Sequence, residues 1–219
     1  MKHTILFDLD GTLTDPQIGI TQSVSYALRS FGIHIDDPNT LTPFIGPPLH
    51  DSFRMFYGLS DSEAQQAIAK YREYYSAQGI FENTLYPGIA TMLQTLQAKG
   101  KTLAVATSKP TVFAKKILRH FEIAQYFTQV TGSELNGSRT RKSEVIRHAL
   151  KHLPSAEIKY AVMVGDRKHD ILGAKAFDMD SIGVLYGFGS LDELTTAGAT
   201  AIAADISELM QLLLSEEPT

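Results

Sequence analysis

The chain opens on a short apolar run, Thr4–Phe7, that breaks abruptly into Asp8-Leu9-Asp10-Gly11-Thr12. A β-prone run ending in a polar, glycine-bearing turn predicts a buried strand. Similar runs return only much later, at Thr102–Ala106, Tyr160–Val164, Ser181–Leu185 and Ala199–Ala203, with helical spacing between them. Ile89, Met92, Leu93 and Leu96 form one such helix, after Pro87-Gly88 and before Gly100, which suits a left-handed stop. Ser190 with Glu193, and Ser60 with Glu63, have the spacing of capping boxes that start helices. Near-continuous apolar strands alternating with helices predict a parallel sheet covered on both faces, a doubly wound, Rossmann-like α/β core.

From Asp15 to about Asn83 the pattern is helical throughout. Ile20, Val24, Ala27, Leu28 and Phe31 make one apolar stripe; Ala64, Ala67, Ile68, Tyr71 and Tyr75 make another. This predicts a discontinuous core, residues 1–14 and 84–219, with an α-helical bundle domain inserted at 15–83. A helical insert beside the carboxyl end of the first strand is placed to act as a lid.

Composition narrows the chemistry. The 219 residues contain no cysteine, which excludes disulfides, Cys-ligated zinc, iron–sulfur clusters and thiolate nucleophiles. Twenty basic against twenty-four acidic residues give a net charge of −4, so no basic surface announces a nucleic acid polymer. The run before Asp8 is too short for the apolar region of a signal peptide, and no stretch approaches the length of a membrane span. A soluble, cytoplasmic protein with no membrane partner is expected.

In open parallel sheets the ligand crevice lies outside the carboxyl ends of the strands. The residues there are Asp8 and Asp10, then Thr107 and Ser108, then Asp166 and Asp170. Pooled carboxylates repel one another unless a cation neutralises them, and a hard divalent ion such as Mg²⁺ suits oxygen ligands. Each residue also has a plainer reading. Asp8 and Asp10 could close an Asx turn; Asp166 could cap a helix; Ser108 could do the same ahead of Pro110. Lys142, near the start of the helical pattern Arg141–His152, could be a solvated helix lysine. The turn Phe44-Ile45-Gly46-Pro47-Pro48-Leu49 precedes a helix carrying His50 and Arg54, which face either a leaving group or solvent. Tyr71, Tyr74 and Tyr75 read as bundle packing.

Taken together, Asp8-Leu9-Asp10-Gly11-Thr12, Thr107-Ser108, Lys142 and Gly165-Asp166 followed by Asp170 closely resemble the haloacid dehalogenase-type hydrolase superfamily, in family order and over essentially the whole chain. Length and helical cap resemble its phosphoglycolate phosphatase-like branch, which includes small-molecule nucleotidases and pyrophosphatases. Asp15-Pro16 stands where relatives commonly have Asp-Ser, and Ser143 where many have Pro. The resemblance implies a Mg²⁺-dependent phosphatase acting on a small phosphomonoester, phosphoglycolate phosphatase-like or 5'-nucleotidase-like, as a monomer or homodimer. Asp8 would be the nucleophile, forming an aspartyl-phosphate, and Asp10 the acid–base group. Thr107 and Lys142 would hold the phosphoryl oxygens. Asp8, the backbone carbonyl of Asp10, Asp166 and Asp170 would hold the ion, Asp170 directly or through water. Gly11, Thr12 and Ser108 would bind the phosphoryl group, and Gly46 and Arg54 the rest of the substrate. A sugar-phosphate phosphomutase uses the same motifs, a haloalkanoate dehalogenase needs neither Mg²⁺ nor Asp10, and a phosphate-binding regulatory module would keep the fold without turnover.

Overall fold

A computed structural model describes residues 3–151 and 160–215. The chain divides into two compact units, Met1–Asp15 with Leu85–Thr219, and Pro16–Thr84.

In the first unit, β1 (Thr4–Phe7) is fully buried, because every side chain in it meets a covered face of the sheet. Two short strands, β2 (Thr14–Asp15) and β3 (Thr84–Leu85), pair where the chain leaves this unit and returns. Then come β4 (Thr102–Pro110), β5 (Gln129–Ser133), β6 (Ala161–Gly165), β7 (Asp180–Val184) and β8 (Ala201–Ala203). These join β1 in a six-stranded parallel sheet of order β5-β4-β1-β6-β7-β8. The order reverses at β1, which is the doubly wound arrangement. Leu6, Ala104, Ala106 and Met163 pack on Val145, Ile146, Ala149 and Ala174 as one buried cluster. Burying each larger apolar side chain there contributes roughly 1.5–3 kcal/mol.

The pattern differs from the chain at three strands. Strand β5 was not anticipated, because Gln129-Val130-Thr131-Gly132-Ser133 is mostly polar; it is an edge strand, with β4 as its one neighbour in the sheet among the described residues. Strand β4 runs on past Ala106 to Pro110 through a break in register, and β8 covers only the last three residues of Ala199–Ala203.

The second unit holds helices α1 (Gln17–Arg29), α2 (Leu49–Tyr57) and α3 (Asp61–Tyr74), with a 3₁₀ segment Pro38–Phe44 and a π turn Tyr75–Gly79 closing α3. Ile20, Val24, Ala27 and Leu28 of α1 are buried, as are Ala64, Ala67 and Tyr71 of α3. A Cβ on Gly19 would lie 1.9 Å from the carbonyl oxygen of Gly79, so α1 crosses the π turn with backbone against backbone. Ser60 caps α3 with Glu63 answering, a complete capping box. Tyr71 stacks on Tyr75, and the Tyr74 hydroxyl donates to Glu82, so these rings pack the bundle.

Candidate active site

The parallel register sets Phe7 level with Val105 on one side and Val164 on the other, so Asp8 leaves the sheet beside Ala106 and Gly165. The Asp8 N–H donates to Val164 O, which keeps the chain in line for one residue more. Gly11 then turns at φ +77, and a Cβ on it would lie 2.1 Å from an Asp166 carboxylate oxygen. Glycine is thus required twice there, for the turn and for the close approach. Gly165 makes the matching allowance: a Cβ on it would stand 2.2 Å from Asp170 Cγ.

The result is a buried trio. Asp8, Asp166 and Asp170 each present an oxygen, and these oxygens lie within 4.8 Å of one another. Lys142, the first residue of the helix Lys142–Leu150, reaches Asp8 Oδ1 at 2.9 Å and Asp170 Oδ1 at 2.7 Å, and donates to Ala106 O. It is 5% exposed, so the solvated-lysine reading fails; His152, the end of the helical pattern, lies outside the described residues. Asp166 does not cap a helix. Its carboxylate accepts from the Phe188 N–H at 2.9 Å and the Thr12 hydroxyl at 3.5 Å. Asp170 accepts from the Arg167 N–H at 3.1 Å.

Asp10 stands apart from the trio, its Oδ2 2.6 Å from Lys109 Nζ. Its Oδ1 is buried and has no hydrogen-bond partner among the described residues. Thr107 is buried, and its hydroxyl oxygen accepts from the Lys109 N–H. Ser108 is in the extended end of β4 and caps no helix; the next helix begins at Thr111. Pairing by Lys109 was missed in the sequence. Its only signal was position, a lysine between two strand-end hydroxyls and a proline.

Burial pushes the Asp166 carboxyl well above the usual range, and the neighbouring Asp170 and Asp8 add to it. Asp170 is raised too, its burial outweighing the Lys142 ammonium, and so is Asp10, its burial outweighing Lys109. For Lys142 burial pulls the pKa down, yet Asp170 and Asp8 together hold it above the ordinary value. Three carboxylates facing one ammonium leave a surplus of negative charge that a divalent cation would neutralise. An all-oxygen donor set fits a hard ion, and with no cysteine in the chain it fits zinc poorly.

The sequence profile described as "Haloacid dehalogenase-like hydrolase" matches residues 5–184. The chain belongs to that family. It is similar to a 5'-nucleotidase of Pseudomonas aeruginosa, 48% identical over 96% of this chain and 95% of that one. It is also similar to the tyrosine-protein kinase PtkA of Mycobacterium tuberculosis, 42% identical over 95% of this chain and 72% of that protein. Phosphoglycolate phosphatases resemble it more distantly, that of Colwellia psychrerythraea at 28% identity over 95% of this chain and 96% of the other. Among solved structures, a protein described as a predicted phosphatase from Clostridium acetobutylicum superposes with a TM-score of 0.93 at 46% identity, covering 98% and 99% of the two chains.

In this haloacid dehalogenase-like hydrolase a second element braces the site, the segment Tyr186-Gly187-Phe188-Gly189 after β7. The Phe188 N–H holds Asp166, and the Tyr186 hydroxyl donates to Thr12 O at 3.0 Å. A Cβ on Gly187 would be 2.3 Å from Gly11 O, and one on Gly189 would be 1.8 Å from Asp166 O. Two glycines flanking an aromatic directly after an apolar strand were the available signal. Gly46 and Arg54 belong to the other unit. Gly46 takes φ +101 in the turn before α2, and Arg54 pairs with Asp61 Oδ1 at 3.0 Å, tying α2 to α3.

Proposed function

We propose that the chain is a Mg²⁺-dependent phosphatase that hydrolyses small phosphomonoesters through an aspartyl-phosphate on Asp8. One observation carries this reading: the acidic residues are sorted, with Asp8, Asp166 and Asp170 gathered in one cluster and the Asp10 carboxylate held off it by Lys109. A site built only to bind a cation has no use for that separation. A nucleophile and an acid–base group sharing one turn require it, since a carboxyl locked to a cation could not take up a proton.

Asp8 attacks phosphorus in line, with Lys142 and the Thr107 hydroxyl holding the charge on the phosphoryl oxygens. Asp10 protonates the leaving oxygen, then takes a proton from the water that frees Asp8. Asp8, the Asp10 carbonyl, Asp166 and Asp170 would hold Mg²⁺, which would add to the neutralisation of the transferring group. Pro16–Thr84 is read as the cap, with Gly46 and Arg54 contacting the leaving group. The 5'-nucleotidase relative supports nucleoside monophosphates as one substrate class, and the phosphoglycolate phosphatases support short phosphorylated acids as another. The PtkA likeness favours a second reading, in which a hydroxyl in place of water accepts the phosphoryl group from Asp8, as in a phosphomutase.

A screen of nucleoside monophosphates, phosphoglycolate, sugar phosphates and pyrophosphate with Mg²⁺ tests the proposal. Release of inorganic phosphate from at least one class, stopped by chelation, is the expected result. Phosphoryl transfer without free phosphate would favour the second reading, and no turnover of any ester would overturn both. The same screen on Arg54→Ala should reorder the substrates if the cap selects them.

A further inference from the structure

We propose that Lys109 is a positioning residue for Asp10: it holds the carboxylate by Oδ2, off the Asp8–Asp166–Asp170 cluster, and leaves Oδ1 as the working oxygen. This rests on the acid–base role given to Asp10 above and extends it to a residue outside the family motifs.

The geometry supports it in three ways. First, the contact is 2.6 Å between side chains that are 5% and 12% exposed, so water competes weakly for either partner. Second, the two buried lysines that meet these carboxylates do separate work. Lys142 is committed to Asp8, Asp170 and Ala106 O, while the Lys109 ammonium meets Asp10. Third, Lys109 is itself anchored by the edge strand β5. The Ser133 hydroxyl donates to Ser108 O at 2.7 Å, the Thr111 hydroxyl donates to Ser133 O, and the Gly132 N–H donates to the Thr111 oxygen. A Cβ on Gly132 would lie 2.2 Å from Lys109 O, so β5 and the end of β4 are in contact and the backbone of Lys109 has little freedom to follow a moving carboxylate. A group that must choose one of two roles is thereby given a single place to stand.

The test is a double-mutant cycle on the full chain: native, Lys109→Met, Asp10→Asn and both together, assayed with saturating Mg²⁺ and an aryl phosphate. Lys109→Met is expected to lower kcat roughly ten- to hundredfold while KM moves less than about threefold, because phosphoryl recognition lies with other groups. In the Asp10→Asn background the same change is expected to cost nothing further. Unfolding midpoints measured without Mg²⁺ on the four proteins should couple in the same way, the double variant regaining part of what Lys109→Met loses. Should Lys109→Met fail to fold, Asp10→Asn against the double variant still decides, since neither of those two leaves the Asp10 carboxylate buried without its ammonium. Equal rates support the proposal, and a further tenfold loss overturns it. A native kcat in Lys109→Met with a slow Asp10→Asn overturns the Lys109 role alone. An unchanged rate in Asp10→Asn overturns the acid–base reading and this proposal with it.

Discussion

The chemistry of single residues depends here on which carboxylate meets which ammonium. Asp8→Asn keeps the shape of the site and removes the proposed nucleophile, so release of phosphate from an aryl phosphate is expected to fall by at least about a thousandfold. Asp166 and Asp170 bind protons more tightly folded than unfolded, so the folded chain holds the larger number between the ordinary carboxylate range, about 4, and their raised values. The stability they contribute is full below that range and is lost as pH climbs toward neutrality. In a chelator, urea midpoints at about pH 5 and pH 7 are expected to differ less for Asp166→Asn than for the native chain. The aspartates were legible in the sequence because a doublet after one strand and a second pair after another have a shared destination in a parallel sheet. The lysines were legible only in part. Lys142 could be named, but its burial could not, and Lys109 acquires its meaning from Asp10, almost a hundred positions earlier in the chain.

Among the elements, those with a strong apolar pattern were readable and those defined by close backbone approach were not. Strands β1 and β6 are near-continuous apolar runs and β7 ends on one, and the capping box at Ser60 matches its spacing. Ser190 caps its helix, but Glu193 turns from the cap to Arg167 Nε and the Lys168 N–H, so half of that box is spent on a tertiary contact. Strand β5 was hidden by its polar residues and the Tyr186–Gly189 segment by its lack of charge, although each fixes a neighbour of the site. Gly189→Ala tests the latter. The added methyl would meet the Asp166 carbonyl at 1.8 Å and push the backbone that carries a cluster carboxylate. A loss of roughly 1–3 kcal/mol in unfolding free energy and a clear drop in turnover are expected; an unchanged kcat would show that the segment does not position Asp166.

At the scale of the molecule, the proposed Mg²⁺ site is assembled only in the folded chain, where Asp8, Asp166 and Asp170 come together. Added Mg²⁺ should therefore raise the thermal midpoint in proportion to the logarithm of its concentration, and Asp166→Asn should flatten that response. Among the described residues no helix is long and apolar enough to cross a membrane. The central place of β1 has a consequence in time. Thr4 pairs with Thr102 and with Ala161, which are 98 and 157 positions further along. At roughly 5–20 residues per second, the first strand off a ribosome waits about 8 to 30 s for its second neighbour. Pro16–Thr84 closes its own contacts well before then, so the insert is the section of the newborn chain able to take shape early, and the hydrolytic centre is assembled last. Protease protection of ribosome-bound chains of increasing length would read that order directly.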